Sequence, residues 1–470
     1  MNVLCLALVA KSAAAYSLYS SYNFDPLQHL AGVTPYFEPQ DPPRDPAAPQ
    51  GCKVTKAAYL VRHAAINSND FDYEEYLEPF LEKYGNNTSV NWSTIPQLAF
   101  LQSWVAPQLV EEEQLTRTGK LQSGQLGLTI SYRYPDLNLP QHVWSSTAER
   151  TVASAKGLIR GLETDDDQIS LIEIYEGKKA GANTLTPYSS CPAYSSSEGS
   201  KQAKVYQTIY TAPIMARFNA LTNNAFNFTA NDITAMQQLC GYETVIRGSS
   251  PPRSLDLFTP DEWLGFEYTN DIQYHYNTGY GNPISGVIGL PWLNATLRLL
   301  TSNSNTTDDE DIYISFTHRE LPPTVLVAMG LFNNSRFSTG SSINDTMPLT
   351  QINYDRAWKS SLILPFLTNI AIERMDCSDN YYLKSGTSNT SDTTFYRVLL
   401  NNSPQTLPDC SDGPSESCSA TGLQTYLSDR AALFEGYSAR CNVSYDNSTD
   451  SVTFYTDESL GNGTTVGKKR

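Results

Sequence analysis

Ala57-Ala58-Tyr59-Leu60-Val61 runs straight into Arg62-His63. The run is short, continuous and apolar, which marks a strand buried on both faces. A strand of that kind ending in two cationic residues predicts an α/β fold with something to bind at the strand end. Two more segments repeat the arrangement. His142-Val143-Trp144-Ser145-Ser146-Thr147 leads into Glu149-Arg150 and a helix over 151–162. Asp311-Ile312-Tyr313-Ile314-Ser315-Phe316-Thr317 ends in His318-Arg319-Glu320, and Pro322-Pro323 then opens a helix over 324–331, since proline is tolerated in a first helical turn. Other helices are expected over 73–84, with Pro79 as a kink or break, and from Thr116, a capping residue, to about 128.

In open α/β sheets ligands lie at the carboxyl ends of the strands. Three strand ends can therefore bring Arg62, His63, Arg150, His318, Arg319 and Glu320 into one small volume. Two of the five histidines of the chain stand there. Arginines and histidines together make a cradle for a phosphoryl group, whose oxygens accept bidentate guanidinium bonds. An imidazole in that cradle can attack phosphorus and form a phosphohistidine. Glu320 is placed to protonate the leaving alcohol and then to activate water. The cations come from the protein, so neither a metal nor another cofactor is expected.

The rest of the chain sets the context. Its 470 residues, 40% hydrophobic, fit one large domain with an insertion. The expected fold is a large α/β domain with a central mixed sheet flanked by helices, formed by 51–75, 141–165 and 285–470. A smaller helix-rich insertion comprises 76–140 and 166–284. Residues 16–50, rich in Pro, Tyr and Ser, read as an extended arm. A net charge of −17 argues against nucleic acid or an anionic membrane as partner, and no internal apolar run is long enough to span a bilayer. Residues 1–15 read as a signal peptide, with an N-terminal helix as the alternative. Sequons begin at Asn86, Asn87, Asn91, Asn227, Asn294, Asn305, Asn333, Asn344, Asn389, Asn401, Asn442, Asn447 and Asn462. Together these predict a secreted glycoprotein acting on a phosphorylated small molecule. No cysteines are spaced as C-x-x-C, so zinc is not expected. Scattered cysteines in an exported chain read as disulfides, and loss of Cys5 with the signal leaves an odd number.

These residues resemble the histidine acid phosphatases, in particular the secreted fungal acid phosphatase and phytase branch, from about Cys52 to Cys441. Val61-Arg62-His63 is similar to the start of the R-H-G-x-R-x-P motif. Leu115-Thr116 through Gly119 and Gln122 resembles an L-T-x-x-G-x-x-Q element, and Glu149 to Ala155 the later phosphate-binding arginine and its helix. Asn183 to Pro187, Leu257-Phe258-Thr259 with Trp263, and Gly279 to Pro283 are further family-like stretches. Ser315-Phe316-Thr317-His318 resembles the strand bearing the second catalytic histidine. The resemblance implies His63 as nucleophile, Arg62, Arg150 and His318 as phosphate ligands, and Glu320 as proton donor. It also implies the pairs Cys52–Cys377, Cys191–Cys441 and Cys410–Cys418. Cys240 is left free and buried, because its usual partner segment reads Ser254-Leu255-Asp256.

The chain departs from the motifs at several positions. Ala64, Ile66 and Ser68 stand where the motif has Gly, the second Arg and Pro. His318-Arg319-Glu320 replaces H-D, a spacing shared with the H-A-E of the multiple inositol polyphosphate phosphatases. Two function classes follow. One is a working acid phosphatase in which Arg319 supplies the charge missing at Ile66. The other is a diverged member that binds an anion with weak or no turnover, or runs another reaction in the same pocket.

Overall fold

The computed structural model describes residues 24–39, 42–107, 113–162, 169–302, 310–334, 346–378, 392–446, 448–457 and 460–466. The expected signal peptide and the sequons at Asn305, Asn344, Asn389 and Asn447 lie outside them.

The quoted run is the inner half of β1 (Cys52–Arg62), at the centre of a mixed sheet. The other strands are β2 (His142–Ser146), β3 (Ile169–Ile174), β4 (Ile312–Thr317), β5 (Asn369–Cys377), β6 (Thr394–Leu400), β7 (Ser403–Gln405), β8 (Cys418–Ser419) and β9 (Gly461–Val466). Their order is β7-β6-β5-β1-β4-β2-β3-β9, with β8 paired to β6. Strands β1, β4, β2 and β3 are parallel neighbours. Antiparallel strands extend the sheet on both sides. Arg62 lies opposite Thr317 in the parallel register, so His63 and His318 emerge side by side.

Alternation along β1 feeds two cores. Ala57, Tyr59 and Val61 join Ile312, Ile314 and Phe316 on one face. Ala58 and Leu60 join Tyr313 and Trp144 on the other. The first face is covered by α2 (Arg117–Arg133) and α3 (Glu149–Gly161), which follow the short α1 (Glu78–Gly85). Beyond them lies a helical cap of α4 (Ser200–Leu221), α5 (Ala230–Arg247) and α6 (Pro260–Asn277). The second face is covered by α7 (Ser285–Thr301), α8 (Leu321–Ala328) and α9 (Ala420–Phe434). Local signals start these helices where expected. Thr116 Oγ1 accepts the Gly119 N–H at 2.9 Å, and Thr229 and Thr259 form capping boxes with Asp232 and Glu262.

Four expectations need correction. Residues 166–284 are not simply a helical insertion, because Ile169–Ile174 is a strand of the main sheet, paired parallel with β2. The segment 76–140 is likewise divided, since α2 lies against α3 over the sheet, where a Cβ on Gly127 would overlap the Leu158 carbonyl. The arm is not simply extended. Asp25 Oδ1 accepts the Leu27 N–H at 3.0 Å to start a turn over Pro26–Gln28, and a second turn follows at Ala31–Val33. Leu30, Ala31 and Val33 are buried there, so this apolar stretch folds inward. Pro79 breaks nothing: it sits in the first turn of α1, after a π-helical turn over Tyr73–Leu77.

The disulfides Cys52–Cys377, Cys191–Cys441 and Cys410–Cys418 are all present. Cys240 is free and buried in α5, where burial pushes its thiol far above the usual value. No described helix is long and apolar enough to cross a membrane.

Candidate active site

Four parallel strands end on one edge, and each delivers a polar group. Arg62 and His63 come from β1, His318 and the following Arg319-Glu320 from β4, Arg150 from the helix after β2, and Glu176 from just beyond β3.

Arg62 is 2% exposed. Its Nη1 donates to the carbonyls of Gly32, at 2.8 Å, and Leu364, and its guanidinium carbon lies 4.7 Å from the Phe366 ring centroid. Burial lowers its pKa to about 10. His63 is also buried. Its Nδ1 lies 2.9 Å from the Ala64 carbonyl. A carbonyl only accepts, so the proton sits on Nδ1 and Nε2 keeps its lone pair. Burial, then the charges of Arg62, Arg150 and His318, hold the His63 pKa well below the ordinary value. His63 is thus a neutral imidazole among cations.

The His318 ring centroid lies 5.8 Å from that of His63. His318 Nε2 is 3.2 Å from Glu176 Oε2 and 3.3 Å from Ser146 Oγ. Burial would raise the Glu176 carboxyl, but His318 and the Ala148 N–H bring its pKa down to about 2. Glu176 therefore stays ionised and orients His318. Arg150 forms an ion pair with Glu113 through Nη1. Arg319 Nε donates to Glu320 Oε1 at 3.2 Å, and its Nη2 is 3.5 Å from Asn69 Oδ1. Burial would raise Glu320, yet the charges of Arg319 and His318 outweigh it and lower its pKa.

Arg62, His63, Arg150, His318, Arg319 and Glu320 thus lie along one edge of the sheet. The structure also shows how the motif is held where it departs from the family pattern. The Ala64 N–H donates to Ser154 Oγ at 2.9 Å, and the Ala65 carbonyl accepts from the Thr116 N–H at 2.9 Å. A Cβ on Gly119 would overlap that same carbonyl, so glycine is needed there. Ile66 bridges to Leu115 and is 2% exposed, its side chain in the core. Position 66 is therefore filled, and Arg319 stands elsewhere, beside Asn69 and Glu320.

Residues 53–401 match the family model described as the histidine phosphatase superfamily (branch 2). The chain belongs to that superfamily. A thiamine-repressible acid phosphatase of Schizosaccharomyces pombe is 30% identical to this histidine phosphatase over 425 residues, covering 86% of this chain and 87% of its own. An acid phosphatase of Komagataella pastoris is 29% identical over 446 residues, covering 90% and 87%. The fold is similar to that of a phytase from D. castellii, with a TM-score of 0.80 at 24% identity over 92% of this chain and 91% of the other. A multiple inositol polyphosphate phosphatase of Bifidobacterium longum shares the fold at a TM-score of 0.60 and 12% identity, covering 85% and 97%. This histidine phosphatase is a phosphomonoester hydrolase.

Reading the sequence missed Glu176, Glu113, Asn69 and the two carbonyls that hold Arg62. Glu176 was within reach, because Ile169-Ser170-Leu171-Ile172-Glu173-Ile174 is a fourth strand with a carboxylate just beyond it. Glu113 closes a run of three glutamates, which reads as solvated surface. Beside Arg319 a cavity of about 520 Å³ opens between the buried arm turn, the 71–76 segment and the cap helices. Its wall mixes Asp72 and Glu75 with Lys201, Lys204 and Tyr274.

Proposed function

We propose that this chain hydrolyses phosphate monoesters with His63 as nucleophile, Arg62, Arg150, His318 and Arg319 binding the phosphoryl oxygens, and Glu320 as acid and then base. One observation carries the reading. Arg62 Nε, Arg150 Nε and His318 Nδ1 are buried and have no hydrogen-bond partner among the described residues. Buried polar atoms are rarely left unpaired, and these three belong to the residues around one neutral imidazole. A phosphoryl group bound there would accept the two guanidinium Nε–H groups and lie beside His318.

In the first step His63 Nε2 bonds to phosphorus while the ester P–O bond breaks, and the leaving oxygen takes the proton of Glu320. In the second, water attacks the phosphohistidine, Glu320 takes its proton, the N–P bond breaks, and phosphate leaves. The donor must be protonated first, and Arg319 and His318 lower its pKa. Turnover therefore falls as pH rises.

The cavity beside Arg319 receives the leaving group. The net charge of −17 disfavours a phytate specialist, and the cavity wall mixes Asp72 and Glu75 with Lys201, Lys204 and Arg319 rather than being uniformly basic. The leader-like residues 1–15, the sequons and the three disulfides support a secreted, N-glycosylated enzyme.

The test is hydrolysis of an aryl phosphate and of phytate between about pH 3 and 7, with His63→Ala as control. Activity strongest at the acid end and lost in His63→Ala is expected. Ile66 favours a second reading, a binder without turnover, because one lost donor costs about 3–4 kcal/mol of transition-state stabilisation. Phosphate binding without hydrolysis of either substrate would establish that reading instead.

A further inference from the structure

Arg150 is already engaged by a carboxylate. Glu113 Oε2 pairs with Arg150 Nη1, and Glu113 Oε1 is 3.4 Å from Asn69 Nδ2. Asn69 Oδ1 in turn faces Arg319 Nη2 at 3.5 Å. One acidic side chain is thus tied directly to one proposed phosphate ligand and through an amide to another. Its backbone is fixed in place. Glu113 has φ of 60°, a left-handed conformation that costs a non-glycine residue about 1 kcal/mol or more. Its N–H donates to the Ser68 carbonyl at 2.8 Å, and the Asn67 N–H donates to the Gln114 carbonyl at 3.0 Å. The segment after the nucleophile therefore carries Glu113 to Arg150.

A carboxylate and a phosphoryl group seek the same guanidinium hydrogens. We propose that Glu113 is an internal competitor for phosphate at Arg150, and that it sets substrate and product affinity by having to be displaced. Both side chains are partly exposed, Arg150 by 20% and Glu113 by 28%, so the exchange needs no opening of the core. Ile66 has already removed one cation from the motif, and Glu113 weakens the site further, so phosphate leaves readily after each turnover. This inference rests on Arg150 being a phosphate ligand.

The alternative role for Glu113 is to orient Arg150, and the two roles predict opposite signs. The test is the equilibrium dissociation constant of inorganic phosphate, measured by calorimetry at one fixed pH. It compares the full chain with Glu113→Gln, Arg150→Ala and the double variant, and adds KM and kcat on an aryl phosphate. Competition predicts that Glu113→Gln binds phosphate about two- to fivefold tighter, the scale of a partly exposed ion pair. KM falls with it, and the gain disappears in the Arg150→Ala background. Unchanged or weaker binding by Glu113→Gln overturns the proposal in favour of an orienting role. A gain that persists with Arg150→Ala also overturns it, since the effect is then one of general charge. Unchanged phosphate affinity in Arg150→Ala alone removes the premise and the proposal together. These binding results stand apart from the hydrolase reading, which is tested by hydrolysis itself and its His63→Ala control.

Discussion

Burial and the charges of Arg62, Arg150 and His318 all oppose protonation of His63. That keeps its Nε2 lone pair available to phosphorus, and loss of the Glu320 proton then lowers turnover as pH rises. Arg319 holds the Glu320 carboxyl down, so removing that charge raises the donor pKa. Arg319→Ala is expected to lower kcat at the acid optimum by about a hundredfold or more, as for a lost oxyanion donor. The alkaline limb of its kcat profile should at the same time move to higher pH. A profile and turnover equal to the parent's would show that Arg319 neither stands in for the motif arginine nor tunes Glu320. At this scale the chemistry was legible wherever a charged residue followed a buried strand, as at Arg62, His63 and His318. Glu113 was not legible, because its role depends on the segments 64–68 and 113–116 meeting side by side.

Among the elements, the buried turn of the arm bears most directly on the site. It presents the Gly32 carbonyl to Arg62 and is tied down by the Ala31 N–H donating to Ser361 Oγ at 2.8 Å. Thr34 reinforces the tie, its carbonyl accepting the Phe366 N–H at 2.9 Å. A Cβ on Gly32 would meet Tyr274 Oη at 2.9 Å, while the next ring atom lies at 3.6 Å. Gly32→Ala is therefore expected to displace the carbonyl and cut kcat/KM by roughly ten- to a hundredfold, the scale of a small misplacement near the reacting group. Adding Tyr274→Phe should restore most of it, relative to Tyr274→Phe alone. Folded Gly32→Ala with undiminished kcat/KM would mean that the arm does not position Arg62. The strands β1, β2 and β4 were legible as apolar runs of the right length. The arm turn was not, because Leu30-Ala31-Gly32-Val33 is too short to announce itself. Its burial depends on α5, α6 and the 360–366 segment, all distant in sequence. Strand β3 was obscured by the helical patterns that follow it.

For the molecule as a whole, the mixed sheet and its two cores account for the expected fold class, and they also decide which sequons are accessible. Asn401 is 2% exposed. Its Oδ1 accepts from Thr368 Oγ1 and the Asn369 N–H at 2.9 Å each, and its Nδ2 donates to the Leu362 carbonyl at 2.9 Å. Asn86, Asn227 and Asn442 are exposed. Glycopeptide mapping of the protein expressed through a eukaryotic secretory pathway should find sugar at exposed sequons and none at Asn401. A glycan on Asn401 would contradict the packing at the end of β6. The same long-range construction bears on when the protein becomes able to act. Arg62 takes one carbonyl from residue 32 and another from residue 364, and β1 is stapled to Cys377. A ribosome must therefore deliver more than three quarters of the chain before the phosphate cradle can assemble. Until then the half-made chain has no site, and a truncated product ending before residue 364 lacks half of the clamp on Arg62.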